Sequence, residues 1–352
     1  MKNKRTYSLG TISSTRDELF GFAILSIMIL HFFQDVRELG GPAWLQATAK
    51  WYGIAVGSLG VDIFLFLSGM GLYYSMSRDP NIGHFYKKRF IRIVPTYLLV
   101  GAVFWGIRVF IKGQDFTEWW QDLCFVTFFT KGTLTLWFIM FILAMYLIYP
   151  LVHWYLNSTE NDLRRTIRFL VLLIVVIAAS LLMFQKWHQS PSAKDIVYGR
   201  IPVFFLGCYL GKYIREGVSL NRPLAIGLAV LFYAGGFVLR YFDTTYLVRR
   251  YIDMFPTLGL IVLLSAFVDI QKNVDNPGRI FLRINGAYSL ELYLTHVCCR
   301  NLAKAWDIPT NKLWVYLIVI LISIILSLPL RKMGEELGKL VKPKKTKPVE
   351  RT

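Results

Sequence analysis

Apolar runs of about 17–22 residues recur along this 352-residue chain and limit what it can become. At about 1.5 Å per residue such a run crosses a hydrocarbon core, where only helices and closed barrels satisfy their own backbones. Ten runs are expected to span, at roughly 19–35, 54–77, 90–111, 134–155, 167–185, 199–215, 223–241, 254–270, 285–304 and 312–330. The expected fold class is all-α, a polytopic membrane bundle of about ten transmembrane helices over residues 19–330. Residues 1–18 are expected to form a polar tail before it, and residues 331–352 a basic tail after it. The last apolar run ends near Pro329, so no separate soluble domain is expected. The opening stretch is polar for too long and lacks a small-residue cleavage site. The first span is therefore expected to be retained and not removed as a signal peptide. A shorter apolar piece, Leu123–Thr130, is expected to be re-entrant or interfacial. Pro80, Pro191, Pro277 and Pro309 fall between spans, where a missing N–H does least harm. No internal repeat or inverted symmetry of the kind built into many transporters is visible.

With 55% hydrophobic and 18% charged residues, the chain has too little charge to cover a soluble protein of this size. Its net charge of +18 is therefore read by location. With the N-terminus inside, about 26 of the 40 Lys and Arg residues fall on the cytoplasmic side and about 14 outside. An even span count then keeps both termini cytoplasmic, as expected for a multi-pass protein of a bacterial plasma membrane. Nucleic-acid binding is not expected, because no basic segment lies in a soluble domain. The lysine-rich end, KPKKTK at 342–347, is expected either to lie on anionic headgroups or to stay disordered. Cys124, Cys208, Cys298 and Cys299 lack metal-ligand spacing and read as small core residues.

Against this apolar background a few residues carry chemistry. His31 lies about eleven residues into the first span, about 17 Å along its axis. Ionisable residues at such depth usually face the bundle interior or a water-filled cavity. The imidazole is expected either to be neutral and able to accept a proton, or to be bonded to a neighbouring carbonyl. KKRFIR at 87–92 gathers Lys87, Lys88, Arg89 and Arg92 where a span begins. Arg89 and Arg92 share one helix face, where two guanidinium forks either grip phosphate or simply anchor the inner end of the span. In GVDIFLFLSG at 60–69, Asp62 is expected near the outer surface, orienting an imidazole or bonding a sugar hydroxyl. Ser68 and Gly69 read as packing residues more readily than as a nucleophile site. Trp137 and Tyr146 punctuate the fourth run, and Arg200 is expected at the outer mouth of the sixth. Ser289, Glu291, Tyr293 and His296 crowd the ninth. Glu291 and His296 are five residues apart, about 140° round a helix, and are not expected to reach one atom together.

Taken in order, these pieces resemble the acyltransferase-3 family of integral-membrane acyltransferases. The resemblance is carried by Asp17, Leu19, Gly21 and His31, by GVDIFLFLSG at 60–69 and by RFIRIVPTY at 89–97. LWFIMFILAMYLIYP at 136–150, GRIPVFFLGCYLG at 199–211 and YSLELYLTH at 288–296 complete it. Each motif is weak alone; six in one order are specific. The resemblance implies transfer of an acyl group, commonly acetyl, from acyl-coenzyme A to a hydroxyl of a cell-surface glycan. It implies essential roles for His31, Arg89 and Arg92, and matches Trp137, Tyr146 and Ser289 to further family positions. No metal and no permanently bound cofactor are expected; acyl-coenzyme A is a donor substrate.

Two departures from the family pattern matter. An arginine or lysine usually stands eleven residues before the histidine, and here that residue is Phe20. Arg16, another turn inward and about 60° round the helix, is the nearest replacement. A carboxylate common in related fourth-span motifs is also absent, with Ile142 and Leu143 there instead. On this reading Arg89, Arg92, Lys88 and Arg16 bind the donor, and His31 with Asp62 carries the catalysis. Trp137, Tyr146, Arg200, Ser289, Glu291 and His296 are the candidate acceptor-binding residues. His31 acts either as general base or as acyl relay. The rival expectation is a non-catalytic membrane transporter or exporter of a small metabolite or glycan, with His31 passing protons.

Overall fold

The computed structural model describes residues 5–113, 115–186, 195–242, 246–271 and 276–339. Pro191 and the lysine-rich end of the chain lie outside the described residues. The main helices are α1 (Arg16–Leu39), α2 (Leu59–Arg78), α3 (Ile82–Lys112), α4 (Trp137–Asn157), α5 (Asp162–Lys186) and α6 (Ile201–Glu216). They continue as α7 (Arg222–Tyr241), α8 (Met254–Ile270), α9 (Pro277–Ala287), α10 (Ser289–Ala305) and α11 (Leu313–Lys339). Among the described residues, eight helical stretches are long and apolar enough to cross a membrane. The protein is a multi-pass helical bundle. The runs read at 199–215 and 285–304 correspond to α6 and α10, which have 16 and 17 residues. α10 is also the more polar, burying Ser289, Glu291, Thr295, His296 and Arg300.

Burial sorts the helices into an inner and an outer set. The apolar windows of Arg16–Leu39 and Ala43–Arg78 are 61% and 67% buried, against 17% for Asp162–Met183 and 22% for Arg222–Tyr241. α1 and α2 therefore stand at the centre, while α5 and α7 turn their leucine and valine faces outward, as helices facing lipid do. Close packing at the centre depends on glycine. A Cβ at Gly69 of α2 would collide with the Phe204 carbonyl of α6, and one at Gly207 of α6 with the Phe66 carbonyl of α2. Gly69 is thus a packing residue, as its sequence suggested.

The start of α1 is clasped by α9 in the same manner. Gly21 meets the Leu282 carbonyl and Gly286 meets the Asp17 carbonyl, so α9 runs antiparallel to α1. A one-residue break at Tyr288 then bends the chain, and α10 runs along α1 in the parallel sense. Residues before α1 are held as well. The strand β1 (Thr6–Ser8) pairs antiparallel with β2 (Ser219–Asn221), and Tyr7 Oη shares a 2.7 Å hydrogen bond with Ser265 Oγ. The piece expected to be re-entrant or interfacial is two short helices, Phe116–Leu123 and Val126–Thr130, hinged at Phe125 with φ 61°. Cys124 lies in that hinge and is exposed, which corrects its reading as a core residue. Cys208 and Cys298 are buried and Cys299 half-buried.

Candidate active site

One face of α1 lines a cavity of about 680 Å³ that follows the helix from Arg16 to Glu38. The 22 steps between those residues amount to about 33 Å of helical rise, close to the thickness of a hydrocarbon core. The middle of the cavity is apolar, walled by Ile27, Phe64, Phe138, Ile142, Tyr293 and Val297. Polar side chains gather at its two ends.

Arg16, Arg89, Arg92 and Arg331 stand at one end. Arg92 donates to Glu291 at 2.8 Å and Arg331 to Glu335 at 2.7 Å, so these two charges are compensated. Arg16 has no carboxylate within ion-pair distance among the described residues; its guanidinium lies 4.9 Å over the ring of Phe20. Arg89 donates to the Gly71 carbonyl at 3.2 Å and lies 5.9 Å from the ring of Tyr146. Gly71 also makes room for Arg16, whose Nη2 comes within 3.3 Å of the point a Cβ would occupy. The Nε atoms of Arg16 and Arg89 are buried without a hydrogen-bond partner. Two uncompensated guanidiniums converging beside one glycine can hold an anion in bidentate fashion.

About four turns along α1, His31 lines the same cavity. Its Nδ1 is buried and unpartnered, so the reading of an imidazole bonded to a neighbouring carbonyl does not hold. Its ring stacks on that of His296 in α10, with centroids 5.4 Å apart and planes 9° from parallel. One turn further, Arg300 grips Asp35 bidentately, Nε to Oδ2 at 2.8 Å, and beyond that Lys304 pairs with Glu38. Parallel helices explain the ladder: 31 meets 296, 35 meets 300, and 38 meets 304. This end is polar with its charges matched, and the amides of Gln34 and Asn301 complete the wall.

Of the residues read from the sequence, His31, Arg16, Arg89, Arg92, Trp137, Tyr146 and Ser289 all line the cavity. Lys88 does not. It pairs at the surface with Asp79 at 3.1 Å, and its ammonium holds that carboxyl below the ordinary carboxylate range. Asp62 orients no imidazole: its Oδ1 accepts from Arg200 Nη1 at 2.8 Å, with both side chains buried. Arg200 correspondingly lies inside the bundle and not at an outer mouth, with its guanidinium 5.7 Å from the Trp137 ring. Two opposite charges on neighbouring spans are held together because either one alone is costly away from water. The network extends to Arg240, which donates to Asp253 at 2.7 Å and to the Ile54 carbonyl at 2.7 Å, clamping α7 to α8 and to the turn before α2. Glu291 and His296 act apart, one on Arg92 and the other on His31, as their spacing requires. Gln34, Arg300, Asn301, Lys304 and Arg331 also line the cavity but were not singled out from the sequence. The repeat of four in His296, Arg300 and Lys304, facing His31 and Asp35, was the available signal.

Among the described residues no cluster of His, Cys, Asp and Glu has the makings of a metal site. No curated protein and no solved structure matches the chain. A family model described as an acyltransferase domain does match, over residues 21–332 of the 352. That range opens just after Arg16 and Phe20 and takes in His31, Arg89, Arg92 and His296. The chain therefore belongs to the acyltransferase-3 family, and it is a membrane acyltransferase.

Proposed function

We propose that the protein transfers an acyl group, acetyl in the simplest case, from acyl-coenzyme A to a hydroxyl of a cell-surface polysaccharide. The supporting observation is the single cavity that joins the uncompensated Arg16 and Arg89 to His31. Coenzyme A is a large polyanion on a flexible arm, and one anion-binding end with an apolar bore beyond it suits both parts. In this reading the Arg16 end faces the cytoplasm and takes the phosphates. The arm then runs along α1 until its thioester meets His31. The acceptor hydroxyl enters from the Lys304 end, where matched charges and two amides suit a neutral polyol. His31 takes the hydroxyl proton as oxygen attacks the thioester carbonyl; the C–S bond breaks and the thiolate leaves. General-base help supplies about 10²–10⁴-fold, and alignment of the two substrates in the bore supplies the remainder.

The test is thiol release by purified protein given acetyl-coenzyme A and polysaccharide extracted from the source cells, with mass spectrometry of the glycan. Acceptor-dependent release is expected, together with its loss in His31→Ala at unchanged membrane insertion. Wild-type acylation by His31→Ala would remove the imidazole from the reaction. Proton-coupled uptake of a solute without thiol release would instead favour transport.

A further inference from the structure

We propose that Gln34 of α1 and Asn301 of α10 hold the acceptor sugar, and that the sugar they hold carries no charge; this rests on the reading of His31 as the base and of the Lys304 end as the acceptor's entrance. Because α1 and α10 run in the same sense, each presents one stripe to the outer part of the cavity. Along α1 the stripe is His31, Gln34 and Glu38, and along α10 it is Val297, Asn301 and Lys304. Both follow the three-or-four spacing of a single helix face. From His31 toward the Lys304 end the wall therefore changes in layers. It is apolar beside the imidazole, carries amides about one turn further, and is charged about one turn beyond that.

The side-chain amides of Gln34 and Asn301 line the cavity without a hydrogen bond to any described residue. The charges around them are already matched. Arg300 is committed to Asp35, and Lys304 bridges Asp35 and Glu38. What remains open to a ligand is neutral. A primary amide offers two donors and one acceptor, which complements a sugar hydroxyl that both donates and accepts. It brings no net charge to offset the desolvation of a carboxylate or phosphate. Gln34 stands three residues after His31, about 4.5 Å of helical rise along α1. Nδ1 of His31 is buried, which leaves Nε2 to meet the cavity. A sugar ring whose reacting hydroxyl reaches Nε2 then has its neighbouring hydroxyls at the level of the two amides. Bonds made there decide which hydroxyl is offered to the base and in what orientation.

The test uses oligosaccharides cut from the polysaccharide of the source cells, saponified to free their hydroxyls and divided by anion exchange into a neutral and an acidic pool. Binding of each pool to the purified full-length protein is measured by calorimetric titration, which needs no turnover. The neutral pool is expected to bind about tenfold more tightly than the acidic one. Gln34→Leu and Asn301→Leu keep side-chain bulk and remove the polar atoms. Each should weaken binding of the neutral pool by about 3–10-fold, with the Kd for acetyl-coenzyme A and the unfolding temperature unchanged. Glu38→Gln tips the local charge toward Lys304 and should narrow the gap between the pools, an effect that fades with added salt. No binding of the neutral pool, tighter binding of the acidic pool, or wild-type affinity in both leucine variants would overturn the proposal. A wild-type protein that binds the neutral pool through these amides yet releases no thiol would defeat acyl transfer and leave the sugar site standing. Thiol release with the acidic pool alone would do the reverse.

Discussion

Phe20 stands where the resemblance leads one to expect a cation, and the guanidinium of Arg16 lies over its ring at 4.9 Å. Arg16, one turn before Phe20 on α1, lines the same cavity. Arg16→Ala is expected to weaken acyl-coenzyme A binding about 10–100-fold, the equivalent of one charge-assisted contact of about 1.5–3 kcal/mol. Adding Phe20→Arg in that background should recover the affinity, as read by calorimetric titration; an unchanged Kd for Arg16→Ala would exclude it from the donor site. Asp62 calls for a different measurement. Removing it strands the buried Arg200, so Asp62→Ala should cost about 3–5 kcal/mol in thermal or denaturant unfolding. The paired change Asp62→Leu with Arg200→Met should recover much of that loss. A variant of Asp62 that unfolds normally yet transfers nothing would restore the catalytic reading. His31, Arg89 and Arg92 were legible because their type and depth are local facts. The partner of Asp62 was not, since it lies 138 residues away and on no local period.

At the scale of elements, each of the ten apolar runs overlaps a helix, because a hydropathic run of that length has few other ways to satisfy its backbone. The break at Tyr288 has no counterpart in the hydropathic pattern. It falls three residues into the run at 285–304, beside the seat of Gly286 against the Asp17 carbonyl, a contact that local periodicity does not encode. Gly207 offers a direct check on such seats. Gly207→Val should lower the unfolding temperature or abolish the folded bundle, in line with overpacking costs of about 1–3 kcal/mol or more where a backbone atom is the obstacle. Gly227 in α7 has open space where its Cβ would be, and Gly227→Val should leave unfolding nearly unchanged. Equal effects from the two changes would deny the central α2–α6 seat its part in holding the fold.

For the molecule as a whole, the proposed function makes the cavity the unit that acts, and its middle the place to interrupt it. Ile142→Trp should cut thiol release by about 10²-fold through misalignment of the arm, with donor binding at the Arg16 end nearly intact. Release at the wild-type rate would mean the thioester does not travel along α1. The assembly of this passage also sets a timetable. Glu18 joins Arg279, Asp35 joins Arg300 and Glu38 joins Lys304, at sequence separations of 261, 265 and 266. The first span thus leaves the ribosome with three carboxylates that stay unmatched until almost all of the chain has been translated. Insertion machinery has to shelter it through that wait. A message cut short before α9 yields a membrane stub with unneutralised acids, a target for quality-control proteolysis and not a weakened enzyme.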